Sequence, residues 1–414
     1  MSERVYANYW METGGDPART AEVIAGEQSS GTFVALATET AELRQRSGAR
    51  VERLDLLDTA HTPSLPGTKT SDHYTRAILE LSWPVENFGP SLPNLMSTIA
   101  GNLFELKQVS GLRLLDLKLP PAFTSAFAGP AFGIHGTRSL AGVARGPIIG
   151  TIIKPSIGLT AQETAQQVRA LIDGDIDFIK DDELQADGAR CPFEDRVEAV
   201  MRVVNTAADQ RGRKVMLAFN ITGDLDEMRR RHDFVLARGG TCVMVCLNSI
   251  GLVGVREIRR HSQLPIHGHR AGWGMLSRCP ALGWDYAPWQ KMWRLAGVDH
   301  LHVNGLDNKF SESNDSVIAA ARAVLSPVAP TAPMEAMPVF SSGQTGRQAA
   351  QTYAAIGCAD LIHTAGGGIF GHPDGVPAGV EALRAAWRAA IAGVSLEDEA
   401  TRVLALRGAL GFWR

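Results

Sequence analysis

Asp177-Phe178-Ile179-Lys180-Asp181-Asp182-Glu183 enters as an apolar run and leaves as a cluster of charge. With Ile176 before it, the run of Phe178 and Ile179 fits a parallel strand buried on both faces. Lys180, Asp182 and Glu183 then fall at the strand's C-terminal end, where an α/β barrel carries its chemistry. Two carboxylates this close repel unless a cation sits between them, and hard oxygen donors suit Mg²⁺. A lysine has the wrong charge for a metal ligand. It becomes one only when CO₂ converts the amine to a carbamate, an anionic oxygen donor. Alone, Lys-x-Asp-Glu reads more simply as an ion pair closing a strand. The remainder of the chain decides between the two.

After Gly146, apolar runs of strand length alternate with longer helical patterns. The runs are residues 148–153, 178–179, 215–219, 242–247, 264–266, 300–303, 337–340 and 361–362. Helix-like stretches lie between them, such as 160–173, 193–210, 224–238 and 347–356. This rhythm predicts an α/β fold, a C-terminal (β/α)8 TIM barrel, for which about 250 residues is typical. Before Gly146 the pattern differs. Residues 5–11, 50–57 and 74–83 alternate as half-buried strands do, and so do Leu115, Leu117 and Leu119. A short strand is expected at 33–37 and a helix at 95–104, and Asp16-Pro17 opens another helix. These features predict an α+β, ferredoxin-like N-terminal domain. The boundary is placed at 130, giving domains 1–130 and 131–414, the latter with an Ala-rich helical tail from 378.

Composition narrows the function classes. The chain has 414 residues, 45% of them apolar, enough for two cored domains. Its 41 Lys+Arg nearly balance 44 Asp+Glu, so neither a nucleic-acid footprint nor a polybasic membrane patch is expected. Cys191, Cys242, Cys246, Cys279 and Cys358 form no CxxC pair and read as reduced thiols. The first nine residues lack a basic segment followed by an apolar core, the mark of a signal peptide. The longest apolar run, 242–255, is interrupted by Asn248 and Ser249 and is too short to span a bilayer. A cytoplasmic protein is the expectation.

The predicted strand ends share one rim. Lys154-Pro155-Ser156 follows the first strand and Lys180-Asp181-Asp182-Glu183 the second. His267-Gly268-His269-Arg270 follows the fifth, and His300-Leu301-His302 belongs to the sixth, with Asp307-Asn308-Lys309-Phe310 in the loop after it. Ser341-Ser342-Gly343 follows the seventh and Gly366-Gly367-Gly368 the eighth. Titratable clusters and Gly-rich turns converging on one rim define a candidate site. Gly-rich turns after the last two strands can close bare backbone N–H groups on a phosphate. His267 and His300 read as hydrogen-bonded core residues.

These motifs resemble the large chain of ribulose-1,5-bisphosphate carboxylase/oxygenase, RuBisCO, over nearly the whole sequence. The resemblance is carried by Gly150-Thr151-Ile152-Ile153-Lys154-Pro155, Asp177 to Glu183, Gly268-His269-Arg270-Ala271, His300-Leu301-His302 and Gly366 to Pro373. Glu27 to Phe33 and Gly101-Asn102-Leu103-Phe104 carry it in the first domain. The resemblance implies that Lys180, carbamylated by CO₂, ligates Mg²⁺ with Asp182 and Glu183. Lys154 is then the proton-transferring lysine and Lys309 the lysine of a mobile loop. His269 and His302 flank the substrate, and Arg270 binds a phosphate. Ser341, Gly343, Gly366 and Gly367 match substrate hydroxyl and phosphate contacts. Glu27, Thr32 and Asn102 match residues donated by a neighbouring subunit, which implies a homodimer or a higher homo-oligomer.

Departures from the carbon-fixing pattern are equally specific. Ser156 stands where the carboxylase has a second lysine, Phe33 where it has tryptophan, Trp273 where it has histidine, and Ser342 where one phosphate pocket has glycine. The chain therefore resembles a RuBisCO-like protein, with one phosphate expected on its sugar-phosphate substrate. The shared chemistry implied is an enediolate on Mg²⁺. Retention of both Lys154 and Lys309 favours decarboxylation of a β-keto sugar acid such as 3-oxo-isoapionate 4-phosphate. Lys309 would hold the departing carboxylate and Lys154 would protonate the product. A related class transfers or hydrolyses on that substrate. The alternatives are an enolase or isomerase of a methionine-salvage sugar phosphate, and a sugar-phosphate-binding protein without catalysis.

Overall fold

Period-2 burial builds the first sheet. On β1 (Arg4–Thr13), Val5, Ala7, Tyr9 and Met11 are fully buried and the residues between them half-exposed. The computed structural model describes residues 3–31, 34 and 36–413. In it β1, β2 (Arg50–Ala60), β3 (Tyr74–Pro84) and β4 (Val109–Lys118) are antiparallel neighbours in the order β4–β1–β3–β2. The helix Pro17–Glu27 starts where Asp16 Oδ1 accepts the Arg19 N–H at 2.7 Å, with proline in its first turn. This is the α+β arrangement that the alternation predicts. A fifth strand, Leu282–Trp284, adds parallel to β4. One compact unit thus runs to Ala128 and takes in Gly272–Ala296 and Pro327–Met334. Arg113 of β4 ties down the inserted segment, donating to the carbonyls of Cys279 and Trp284 at 2.8 Å each and pairing with Asp285.

The second unit is a closed barrel of eight parallel strands. In chain order they are Ile148–Ile152, Phe178–Lys180, Met216–Asn220, Cys242–Cys246, Ile266–His269, His300–His302, Met337–Phe340 and Ile362–Thr364. Phe178, Met216, Ala218, Met244, Met337, Val339 and Ile362 form its buried core. The helix Ala161–Asp173 opens with a capping box in which Thr160 accepts from the Glu163 N–H and Glu163 accepts from the Thr160 N–H.

Three expectations need correction. The fifth strand is Ile266–His269, so His267 and His269 lie in it and not after it. The residues 95–104 do not form one helix: Leu92–Ile99 ends before Gly101, and Asn102 begins a separate 3-10 turn. The strand expected at 33–37 falls partly outside the described residues, and Val34 and Leu36 are exposed and not in a strand. Among the described residues no helix is long and apolar enough to cross a membrane.

His363, on the eighth strand, is fully buried edge-on to Trp387, with ring centroids 5.4 Å apart. Among the described residues neither ring nitrogen has a hydrogen-bond partner, and burial lowers the pKa from 6.5 to about 3. The folded state therefore resists a proton that the unfolded state accepts. Stability tied to this group is complete above 6.5 and is lost as pH falls toward 3, by about 2 kcal/mol at pH 5. His363→Phe should raise the urea midpoint relative to the parent more at about pH 5 than at about pH 7.5. Parallel decline of the two proteins would show that His363 is not the source.

Candidate active site

Lys180 ends the second barrel strand with its side chain fully buried. Its amine donates to the Asp181 carbonyl at 2.7 Å and lies 3.5 Å from Glu183 Oε2. The chain leaves the strand after Lys180, and the three acids that follow take different partners. Asp181 faces the helix Phe193–Arg211, paired with Arg196 at 3.2 Å and accepting the Asn220 N–H at 3.0 Å. Asp182 and Glu183 turn toward the rim. Asp182 Oδ2 accepts from Lys154 Nζ at 2.7 Å, and its other oxygen accepts the Leu184 N–H at 3.1 Å. Lys154 also donates to Ser156 Oγ at 2.8 Å, so the residue standing in place of a second lysine positions the first. Glu183 Oε2 is 3.4 Å from His269 Nε2.

The rim histidines are neutral. Burial lowers the pKa of His269 and of His302 well below 6.5, and positive neighbours lower both further. His269 Nδ1 accepts the Ala271 N–H at 3.2 Å, which leaves the proton on Nε2, directed at Glu183. His302 touches Ser341 Oγ at 3.0 Å and His267 at 2.7 Å, and His267 meets His300 at 3.3 Å. His267 and His300 are thus the buried, mutually bonded residues that the sequence implied.

Lys309 is exposed, its amine 5.2 Å from the Phe310 ring centre, and its backbone N–H donates to Ser342 at 3.4 Å. Gly343 faces that loop: a Cβ there would lie 3.5 Å from Lys309 Cβ. Gly366 packs against Lys154, where an added Cβ would come within 3.3 Å of Cε. Gly367 has open space beside it. Arg270 pairs with Glu312 at 2.5 Å, a partner that no sequence motif announces. In the first unit, Glu27 and Asn102 line one concavity of about 650 Å³. Thr32 lies outside the described residues.

The donor set fits Mg²⁺ with a lysine carbamate. Burial outweighs the pull of Glu183 and Asp182 and lowers the Lys180 pKa, favouring the neutral amine that can attack CO₂. The product exchanges a cation for anionic oxygen beside two carboxylates, an all-oxygen set of the kind a hard cation prefers. A second cluster, His232, Asp233 and His261, fits a metal less well. The Gln263 N–H donates to His232 Nε2, so the proton on Nδ1 is already directed at Asp233, 2.9 Å away.

A (β/α)8 barrel with this lysine–carboxylate rim, joined to an α+β unit, defines a class of protein. The chain matches the ribulose bisphosphate carboxylase large chain catalytic domain over residues 133–413 and its N-terminal domain over residues 3–123. It belongs to the RuBisCO large-chain family. It is 88% identical over the full length of both chains to a 3-oxo-isoapionate-4-phosphate transcarboxylase/hydrolase of Xanthobacter autotrophicus. It is 44% identical, over 94% of each chain, to a 3-oxo-isoapionate-4-phosphate decarboxylase of Rhizobium etli. A rubisco-like protein from Burkholderia fungorum has the same fold, with a TM-score of 0.93 at 45% identity over 99% of this chain and 100% of that one.

Bicarbonate should strengthen Mg²⁺ binding, measured calorimetrically, by at least about tenfold, and Lys180→Met should abolish the effect. Equal Mg²⁺ affinity of the variant with and without bicarbonate, at the parent's level, would remove Lys180 from the ligand set.

Proposed function

We propose that this chain is an Mg²⁺-dependent enzyme that breaks the carboxylate–carbon bond of 3-oxo-isoapionate 4-phosphate, re-forms it at the other carbon of the resulting enediolate, and lets water cleave the carbon–carbon bond of the rearranged β-keto acid to give two carboxylic acids. The observation that carries this reading is the 88% identity, end to end, with a relative named for that substrate and that outcome. Simple release of CO₂ is the second reading, favoured by the 44% identical decarboxylase and by the presence of both Lys154 and Lys309. Both begin alike, because loss of CO₂ from a β-keto acid that bears a hydroxyl on its α-carbon leaves an enediolate.

Carbamylated Lys180, Asp182 and Glu183 would hold Mg²⁺, which when bound would draw charge from two neighbouring substrate oxygens. Lys154, held by Asp182 and Ser156, would return a proton to carbon. His269 would be a neutral donor beside Glu183. Lys309, exposed on its loop, would contact the departing carboxylate. The turn at Gly366 and Gly367 would offer backbone N–H groups to the substrate phosphate. Glu27 and Asn102 lie on one concave surface of the first unit, which supports their donation to a neighbouring subunit in a homodimer.

Substrate labelled with ¹³C in its carboxyl group tests the reading. ¹³C-NMR should show the label in a carboxylic acid product, with little free bicarbonate. Label recovered wholly as bicarbonate would assign the chain to decarboxylation, and untouched substrate would overturn both readings. Lys309→Ala is expected to lower kcat/KM by about 100-fold. Turnover at the parent rate would exclude its contact with the carboxylate.

A further inference from the structure

Two residues at the barrel rim hold a backbone conformation that side chains rarely adopt. Asn304, beyond the sixth strand, has φ 68°, and Ser342, beyond the seventh, has φ 72°. Such strain persists where the surroundings over-determine it. Here the two side chains meet: Ser342 Oγ donates to Asn304 Oδ1 at 2.8 Å. Asn304 Nδ2 in turn donates to Glu312 Oε2 at 2.6 Å. Ser316 Oγ donates to the other oxygen of Glu312 at 2.9 Å. The carboxylate so held pairs with Arg270, and the two side chains are only 10% and 15% exposed.

An arginine that receives a substrate phosphate must offer its charge to the incoming anion. The charge of Arg270 already faces a carboxylate of its own chain. A phosphate brought to this guanidinium would either meet Glu312 as a like charge or strip it from a nearly buried pair, and each is costly. Ser342 is the residue that replaces a glycine of the carboxylase pocket, and its hydroxyl is the first link of the chain that holds Glu312. We infer that Glu312 takes the place of a second phosphate at Arg270 and makes this rim selective for substrates with one phosphate over those with two. The inference deepens the sugar-phosphate reading above and rests on it.

Inert polyol phosphates test it without any turnover. Full-length protein with Mg²⁺ and bicarbonate is titrated calorimetrically, at fixed ionic strength, with arabinitol 1-phosphate and arabinitol 1,5-bisphosphate. The parent should bind the bisphosphate no more than about threefold tighter than the monophosphate. Glu312→Gln should bind the bisphosphate at least about tenfold tighter than the parent does, with monophosphate affinity within about twofold. The gain should vanish in Glu312→Gln/Arg270→Gln. Asn304→Gly keeps the left-handed backbone and deletes one bond to Glu312, so it should give a smaller gain in the same direction even if Glu312→Gln folds poorly. A parent that prefers the bisphosphate by tenfold or more, no gain in either single variant, or a gain that survives without Arg270 would overturn the role of Glu312. Failure of both ligands to bind any of these proteins would overturn the sugar-phosphate reading itself.

Discussion

Burying a lysine amine at the end of a barrel strand is the constraint on which the rim depends. Lys180 is fully buried, and its amine is satisfied by the Asp181 carbonyl and by proximity to Glu183. The turn that follows the strand then determines what the neighbouring acids can do. Asp181 goes to Arg196 on the helix Phe193–Arg211 and stays structural, while Asp182 and Glu183 are left facing the rim. Lys154, just beyond the first strand, and His269, from the fifth, complete the surround, each aimed at one of those two carboxylates. The site is thus one buried amine's environment, extended by a residue or two in each direction.

Away from that centre the rim divides by charge. The imidazoles of His267, His269, His300 and His302 are kept neutral by burial and pack ring against ring, so the barrel carries polarity there without net charge. Two ion pairs flank them, Lys154 with Asp182 and Arg270 with Glu312. Further hydrogen bonds hold the carboxylates, from the Leu184 N–H to Asp182 and from Asn304 and Ser316 to Glu312.

The barrel was legible because parallel strands buried on both faces must be apolar, and eight such runs stand out between helical patterns. The fifth strand was read too early because Pro265-Ile266 is its only apolar opening. His267-Gly268-His269 reads as a polar loop until the partners of His267 are known, and those lie 33 and 35 positions away. Lys180, Asp182 and Glu183 could be picked out because three charged residues ending an apolar run are hard to place anywhere except a rim. Glu312 could not. Its significance lies in Arg270, 42 positions away, and in Asn304 and Ser342, and the one signal present is serine in place of glycine at 342. Glycine at 101, by contrast, marks the helix break before Asn102.

The strand Leu282–Trp284 lies far along the chain from the sheet it completes. It bonds to β4 through Leu112, whose N–H reaches the Ala281 carbonyl at 2.8 Å, and through the Asp285 N–H, which reaches the Leu114 carbonyl at 2.8 Å. During synthesis, β1 to β4 therefore leave the ribosome well before their last neighbour exists, and β4 waits with an open row of backbone donors and acceptors. An open edge of that kind pairs readily with other chains. A gene fragment ending near residue 128 encodes four strands of a five-stranded sheet, and the instruction that closes it is written between two strands of the barrel.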